Sequence, residues 1–210
     1  MAVTARYGAR KLTLALAVVL ASMAALFLLP SSRFVAATFA SMTCMILATY
    51  LVTSYLGLFR PRPATVAFGL VSAVALYLVF YLGNLGIQAL HPFGLSASSE
   101  GSIYSLIASP ANPLYLQVSV LAFDAVGYES FFRGVLQGRL EPRFGTASPF
   151  LVALLDASIH LLTLNPLWVV TTFIADSCWG VTYYYSKDLS SSMLSHFVWD
   201  LAIFVVFPVG

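Results

Sequence analysis

The sequence predicts an all-α protein, a polytopic transmembrane helical bundle of about seven spans. Three observations predict it: a composition too apolar for a water-soluble domain, apolar runs of membrane-crossing length, and ionisable residues set inside those runs at helical spacing. Of 210 residues, 60% are hydrophobic and 9% charged, with a mean hydropathy of +0.91. Soluble domains carry roughly a quarter charged residues, so lipid is the solvent this chain suits. A formal net charge of +2 is too small to suggest a nucleic-acid partner. Cys44 and Cys178 both fall inside apolar runs, which reads as packing and not as a disulfide framework. A single transmembrane domain, 1–210, accounts for the chain: 12–113 for the N-terminal spans and an outer loop, 114–207 for the part that carries the polar motifs.

A helix needs about 20 predominantly apolar residues to cross a bilayer, which gives candidate spans at 12–30, 34–58, 64–83, 114–137, 149–164, 167–185 and 189–207. The first follows Arg6, Arg10 and Lys11 like a signal peptide. Its Leu12 to Leu29 core is longer than a signal h-region and lacks a small-residue cleavage site, so it reads as a retained span. Gly83 to Pro113 has no Lys or Arg, holds His91 and Glu100 among Gly, Ser, Asn and Pro, and reads as a long outer loop or partly re-entrant connector. Asn165-Pro166 signals a turn between the fifth and sixth spans. Eight of the ten basic residues then share one side: Arg6, Arg10, Lys11, Arg60, Arg62, Arg139, Arg143 and Lys187. Arg33 is the flanking exception and Arg133 lies within a span. The positive-inside rule therefore predicts a multi-pass integral membrane protein with a cytoplasmic N-terminus.

Charges inside a span cost roughly 2.5 to 3.5 kcal/mol each near the bilayer centre, so their positions call for a function. Residues four apart share a helix face, and Glu129 with Arg133, Asp156 with His160, His196 with Asp200, and Asp124 with Tyr128 all have that spacing. Counting from the inner ends of their spans at about 1.5 Å per residue, Glu129, His160 and His196 all lie roughly 13 to 17 Å deep. Three motifs on three helices therefore converge at one level. A carboxylate and a neutral imidazole can hold and deprotonate a water, and a second His can face a developing oxyanion. That is the equipment of peptide hydrolysis. Arg133 would keep its carboxylate partner ionised, and Asp200 would orient His196. Two alternatives use the same residues: interhelical polar glue, and a zinc site at Glu129, His160 and His196, although the H-E-x-x-H spacing is absent. No cofactor is the expectation. Asp176, with Trp179 nearby, has no partner that sequence alone names.

At these residues the chain resembles the CPBP family, the CAAX-protease and bacteriocin-processing (Abi) intramembrane endopeptidases. The family motifs Glu-Glu-x-x-x-Arg, Phe-x-x-x-His and His-x-x-x-Asn/Asp correspond here to Tyr128-Glu129-Ser130-Phe131-Phe132-Arg133, Asp156 to His160, and His196 to Asp200. The resemblance covers residues 114–207. It implies a buried glutamic-protease site in which His160 holds the attacking water, His196 and Asp200 form the oxyanion side, and Arg133 supports the acidic motif. It also implies a membrane-tethered substrate cut near its C-terminus: a prenylated CAAX tail, a peptide precursor or a sorting tail. Two positions depart from the pattern. Tyr128 stands where the first Glu belongs, and a phenol with a reference pKa near 10 is a poor base at neutral pH. Asp156 stands where the Phe belongs. Three readings follow: Glu129 takes the base role, Asp156 supplies the carboxylate beside His160, or the protein is a membrane binder or chaperone that does not cut. A proton or ion carrier is the reading furthest from the residues, because the polar groups cluster at one depth.

Overall fold

Within lipid, a backbone can satisfy its polar groups only through helical or closed-barrel hydrogen bonding, and this chain takes the helical route. The computed structural model describes residues 9–90 and 112–208, and among these it has eight α-helices and no strand. They are α1 (Ala9–Leu28), α2 (Phe34–Val52), α3 (Pro63–Leu90), α4 (Leu114–Phe131), α5 (Gly138–Phe144), α6 (Ser148–Ile159), α7 (Pro166–Ser186) and α8 (Leu189–Leu201). A π-helical segment, Phe132–Gln137, joins α4 to α5, and a second, Ala202–Val206, extends α8. The last turn of α6 tightens to a 3-10 helix over His160–Thr163.

The all-α bundle agrees with the sequence reading, and the boundaries differ in four places. Among the described residues, five segments are long and apolar enough to cross a membrane: Arg10–Leu28, Phe34–Val52, Pro63–Ala89, Leu114–Thr163 and Leu189–Val206. The seven expected spans arise by dividing the fourth segment and adding α7, whose Thr171, Thr172, Asp176 and tyrosines dilute its apolar character. The second expected span, 34–58, ends as an α-helix at Val52, where Thr53 turns extended. α3 continues past Gly83 and Gly86 to Leu90, since glycine interrupts a membrane helix less than a soluble one. The expected outer loop therefore begins no earlier than residue 91, and its His91 and Glu100 lie outside the described residues.

Two helix starts carry the caps that sequence rules predict. Asn165 accepts the Trp168 N–H at 3.2 Å, with Pro166 in the first helical position. Asp188 accepts from the Ser190 N–H at 3.1 Å and the Ser190 hydroxyl at 2.6 Å. Asp188 also accepts from the Thr65 hydroxyl at 2.6 Å and the Arg60 N–H at 3.0 Å. One buried carboxylate thus fastens the α2–α3 connection to the start of α8.

α1 packs on α2, α2 on α4, α3 on α8, α4 on α8, and α6 on α7. One apolar core draws Val19, Met23, Met42, Met45, Phe131 and Val152 from the α1, α2, α4 and α6 side. A second gathers Ala73, Leu76, Ala175, Trp179, Trp199 and Ile203 between α3, α7 and α8. At two crossings the backbones nearly touch. A Cβ on Gly127 would lie 2.9 Å from the Met42 Cα, and one on Gly69 only 2.5 Å from the Ser191 carbonyl oxygen. These glycines let α4 settle on α2 and α8 on α3, which brings the polar faces of α4 and α8 together.

Candidate active site

Helical periodicity aims Asp124, Tyr128 and Glu129 of α4 toward the bundle interior, and α8 presents His196 and Asp200 opposite them. The His196 Nδ1 lies 3.0 Å from Glu129 Oε1, and a carboxylate there fixes the proton on Nδ1. Arg133 Nε reaches Glu129 Oε2 at 3.3 Å. The Arg133 guanidinium also pairs with Asp176 of α7 and meets Gln137 Oε1 at 3.5 Å. Glu129, Arg133 and Asp176 are fully buried, and the single guanidinium is shared between the two carboxylates. Asp176, which had no assignable partner in the sequence, is the counter-ion of Arg133.

The far nitrogen of His196, Nε2, faces two more carboxylates, Asp200 Oδ2 at 3.5 Å and Asp124 Oδ2 at 3.6 Å. Trp179 stacks flat on the imidazole, with centroids 3.6 Å apart and planes at 13°, and Tyr128 meets its edge at 5.6 Å. The ring is held on every side.

His160 belongs to a second group. Its Nδ1 is 3.1 Å from the Asp156 carbonyl oxygen and 3.7 Å from Asp156 Oδ2. A carbonyl only accepts, so Nδ1 carries the proton and Nε2 keeps its lone pair. Phe27 of α1 and Trp168 of α7 pack against the ring with centroids at 4.7 and 5.8 Å. Asp156 is fully buried beside the Tyr128 hydroxyl, and neither of its carboxylate oxygens completes a well-formed hydrogen bond.

Between the groups lies a cavity of about 450 Å³, lined by Asp124, Tyr128, His160, His196 and Asp200 and otherwise mainly by apolar and aromatic side chains. That size and lining suit a binding site. Glu129, Arg133 and Asp156 stand behind the wall. The sequence-predicted residues thus sort into two sets, Glu129, Arg133, His196 and Asp200 in one, Asp156 and His160 in the other, with Tyr128 touching both. Among the described residues, the three-residue group whose donor atoms lie within 4.8 Å of one another is Asp124, His196 and Asp200. The zinc trio weighed as an alternative from sequence shares only His196 with it, because Glu129 is occupied by Arg133 and the His196 Nδ1, and His160 by Asp156. Asp124 and Trp179 also face the cavity; the sequence marks Asp124 only as the four-residue partner of Tyr128 and Trp179 only as a neighbour of Asp176, and assigns neither a role in the site.

No curated protein and no solved structure matches the chain. A protein-family model does: residues 110–202 match the one described as type II CAAX prenyl endopeptidase Rce1-like. The matched stretch contains all three polar motifs and ends two residues beyond Asp200. Over residues 110–202, somewhat less than half of its length, this chain of apolar helices is similar to the Rce1-like CAAX proteases of the CPBP family.

Proposed function

We propose that the protein is an intramembrane endopeptidase that cuts a membrane-associated protein or peptide near its C-terminus, with His160 as the base that activates water. The carrying observation is the cavity bounded by both His160 and His196 and walled mainly by apolar groups. Of the readings left open by Tyr128, the geometry favours the one in which Asp156 replaces the missing carboxylate. The Asp156 main-chain carbonyl fixes the His160 Nδ1 proton at 3.1 Å, the Asp156 carboxylate stands 3.7 Å from that nitrogen as the nearby negative charge, and the Nε2 lone pair is left for a water in the cavity. Water oxygen adds to the scissile carbonyl carbon as His160 takes its proton. The C–N bond then breaks as that proton passes to the departing nitrogen, leaving a carboxylate and an amine. His196 and Asp200 face the carbonyl side. Glu129, tied to Arg133 and the His196 Nδ1, is a positioning residue and not the base.

Substrate classes consistent with an apolar cavity are a prenylated CAAX tail, a peptide precursor and a transmembrane sorting tail. The N-terminus is cytoplasmic in this proposal, supported by Arg60, Arg62 and Lys187 bordering one pocket at a single end of the bundle. The test is cleavage of tethered reporter tails by the purified chain in liposomes, with products identified by mass. His160→Ala and Asp156→Asn are each expected to lower the rate by roughly 10²-fold or more. Wild-type rates in His160→Ala would sink the proposal. Tyr128 favours one competitor, a binder that does not cut. Measurable cleavage by the wild type excludes it, and cleavage that appears only on Tyr128→Glu establishes it.

A further inference from the structure

We propose that the substrate enters the cavity from the non-cytoplasmic side and that Asn84 of α3, at the outer end of the chamber, binds its backbone. The substrate class this selects is a membrane-associated polypeptide already exported, with its scissile bond presented from outside. The first argument is where the chamber stops. Its lining ends at Tyr128 on α4, Trp179 on α7 and His196 on α8, and from that level it extends away from Arg60, Arg62 and Lys187. At about 1.5 Å per residue, His196 lies about 10 Å from the basic end of α8, whereas Phe27 of α1, Leu167 of α7 and Asn84 of α3 lie about 27 to 31 Å from the basic ends of their helices.

Below the floor the bundle is solid. Phe131, Phe132, Arg133, Gln137 and Leu189 are completely buried, and Gln137 Nε2 donates to the Gly180 carbonyl oxygen at 2.8 Å. A chain arriving from the basic end meets packed side chains. Toward the other end, Val79 of α3 and Val170 of α7 line the cavity and are 50% and 54% exposed, so among the described residues the chamber opens at this level.

The second argument is a polar group without a partner. Leu76, Phe80, Asn84 and Ile87 follow one another at spacings of four, four and three residues, which puts the amide on the apolar, inward stripe of α3. Phe80, Asn84 and Ile87 all border the cavity. The Asn84 Oδ1 is buried and has no hydrogen-bond partner among the described residues. An Asn in a membrane helix ordinarily serves as interhelical glue, and that use requires the partner this one lacks. An amide offers an acceptor and two donor hydrogens, which match the N–H and C=O of an extended peptide. A substrate backbone needs such partners in so apolar a chamber.

This inference rests on the proteolytic reading and on the orientation proposed with it. A prenylated CAAX tail is carried on the cytoplasmic face and would meet the sealed end. An exported precursor or sorting tail cut from outside would not. Asn84 stands about 13 to 21 Å beyond the level of His160 and His196, a span that extended chain at about 3.3 Å per residue covers in about four to six residues.

The experiment gives the full chain, in right-side-out and in inverted membrane vesicles, an impermeant quenched fluorescent peptide of apolar sequence. Right-side-out vesicles are expected to cleave it at least about tenfold faster, and detergent should abolish the difference. In detergent, a peptide series is lengthened one residue at a time on either side of the scissile bond. Asn84→Leu should raise KM about tenfold, with kcat within about twofold, once one side reaches about four to six residues, and Asn84→Gln should recover part of the loss. Binding of the longest peptide to a His160→Ala chain should show the same tenfold loss on adding Asn84→Leu, without any turnover. Leucine suits a membrane helix, and thermal unfolding identifies any failure of folding. Faster cleavage by inverted vesicles, or a KM that Asn84→Leu leaves unchanged or shifts equally at every length, overturns the inference and spares the protease. Binding that depends on Asn84 without cleavage in any preparation supports the site and sinks the protease; neither binding nor cleavage sinks both.

Discussion

Tyr128 and Asp156 are the two positions where the chain leaves the motif of the family it resembles, and they are neighbours in space. A carboxylate has in effect moved from one helix to the next while staying beside His160. The exchange predicts a reciprocal rescue. Asp156→Phe alone should abolish cleavage, and Tyr128→Glu combined with Asp156→Phe should restore it to within about tenfold of wild type, since the base regains a carboxylate partner. Steady-state cleavage of one reporter tail by wild type, Tyr128→Glu, Asp156→Phe and the double variant measures this coupling. A double variant as inactive as Asp156→Phe would return the role to another group. The pairs within one helix, Glu129 with Arg133 and Asp156 with His160, were legible because spacing alone fixes them. The pairs between helices, His196 with Glu129 and Arg133 with Asp176, were not, because they depend on the rotation of each helix against its neighbour.

Among the elements, α8 depends most on its first residue's predecessor. Burial pushes the Asp188 carboxyl up, but donors from Ser190, Thr65 and the Arg60 and Ser190 backbone outweigh it and hold its pKa below the usual carboxylate value. A group whose pKa is lowered on folding stabilises the fold above its unfolded pKa and loses that contribution as pH falls through the folded one. Asp188→Ala should therefore lower the midpoint of thermal unfolding at neutral pH, by about 1 to 2 kcal/mol in stability. The difference from wild type should shrink below pH ~4, where the unfolded-state Asp is protonated. Scans in detergent at both pH values check it. An Asp directly before an apolar run, with Ser190 two residues on, was a readable cap. The π segments after Phe131 and Leu201 were not readable, since a single inserted residue leaves no periodic trace in so uniformly apolar a stretch. The first overlaps its polar motif at Phe132 and Arg133, and the second follows Asp200 by one residue.

Across the whole molecule, the cavity takes its walls from α1, α2, α3, α4, α7 and α8 together with His160, so the N-terminal spans belong to the site as much as the motif-bearing half does. Apolar lining residues look like any lipid-facing residues in the sequence, which is why the chamber was invisible there while its polar floor was not. The proposed orientation predicts that single cysteines at Arg62 and Lys187, placed in a Cys44→Ser, Cys178→Ser background, react with an impermeant maleimide only after the membrane is opened. Labelling in intact cells would invert the topology. The pairing of Arg133 with Asp176 has a consequence for biogenesis. During synthesis the span that holds α4 and the π segment reaches the membrane with Arg133 paired only to Glu129, one turn away, and its second counter-ion, Asp176, emerges 43 residues later in the chain. Nascent chains truncated before residue 176 should hold α4 loosely at the translocon, as glycosylation mapping would reveal, and Arg133→Leu should release that dependence. The bond that anchors the site is thus also the step that commits the second half of the protein to the bilayer.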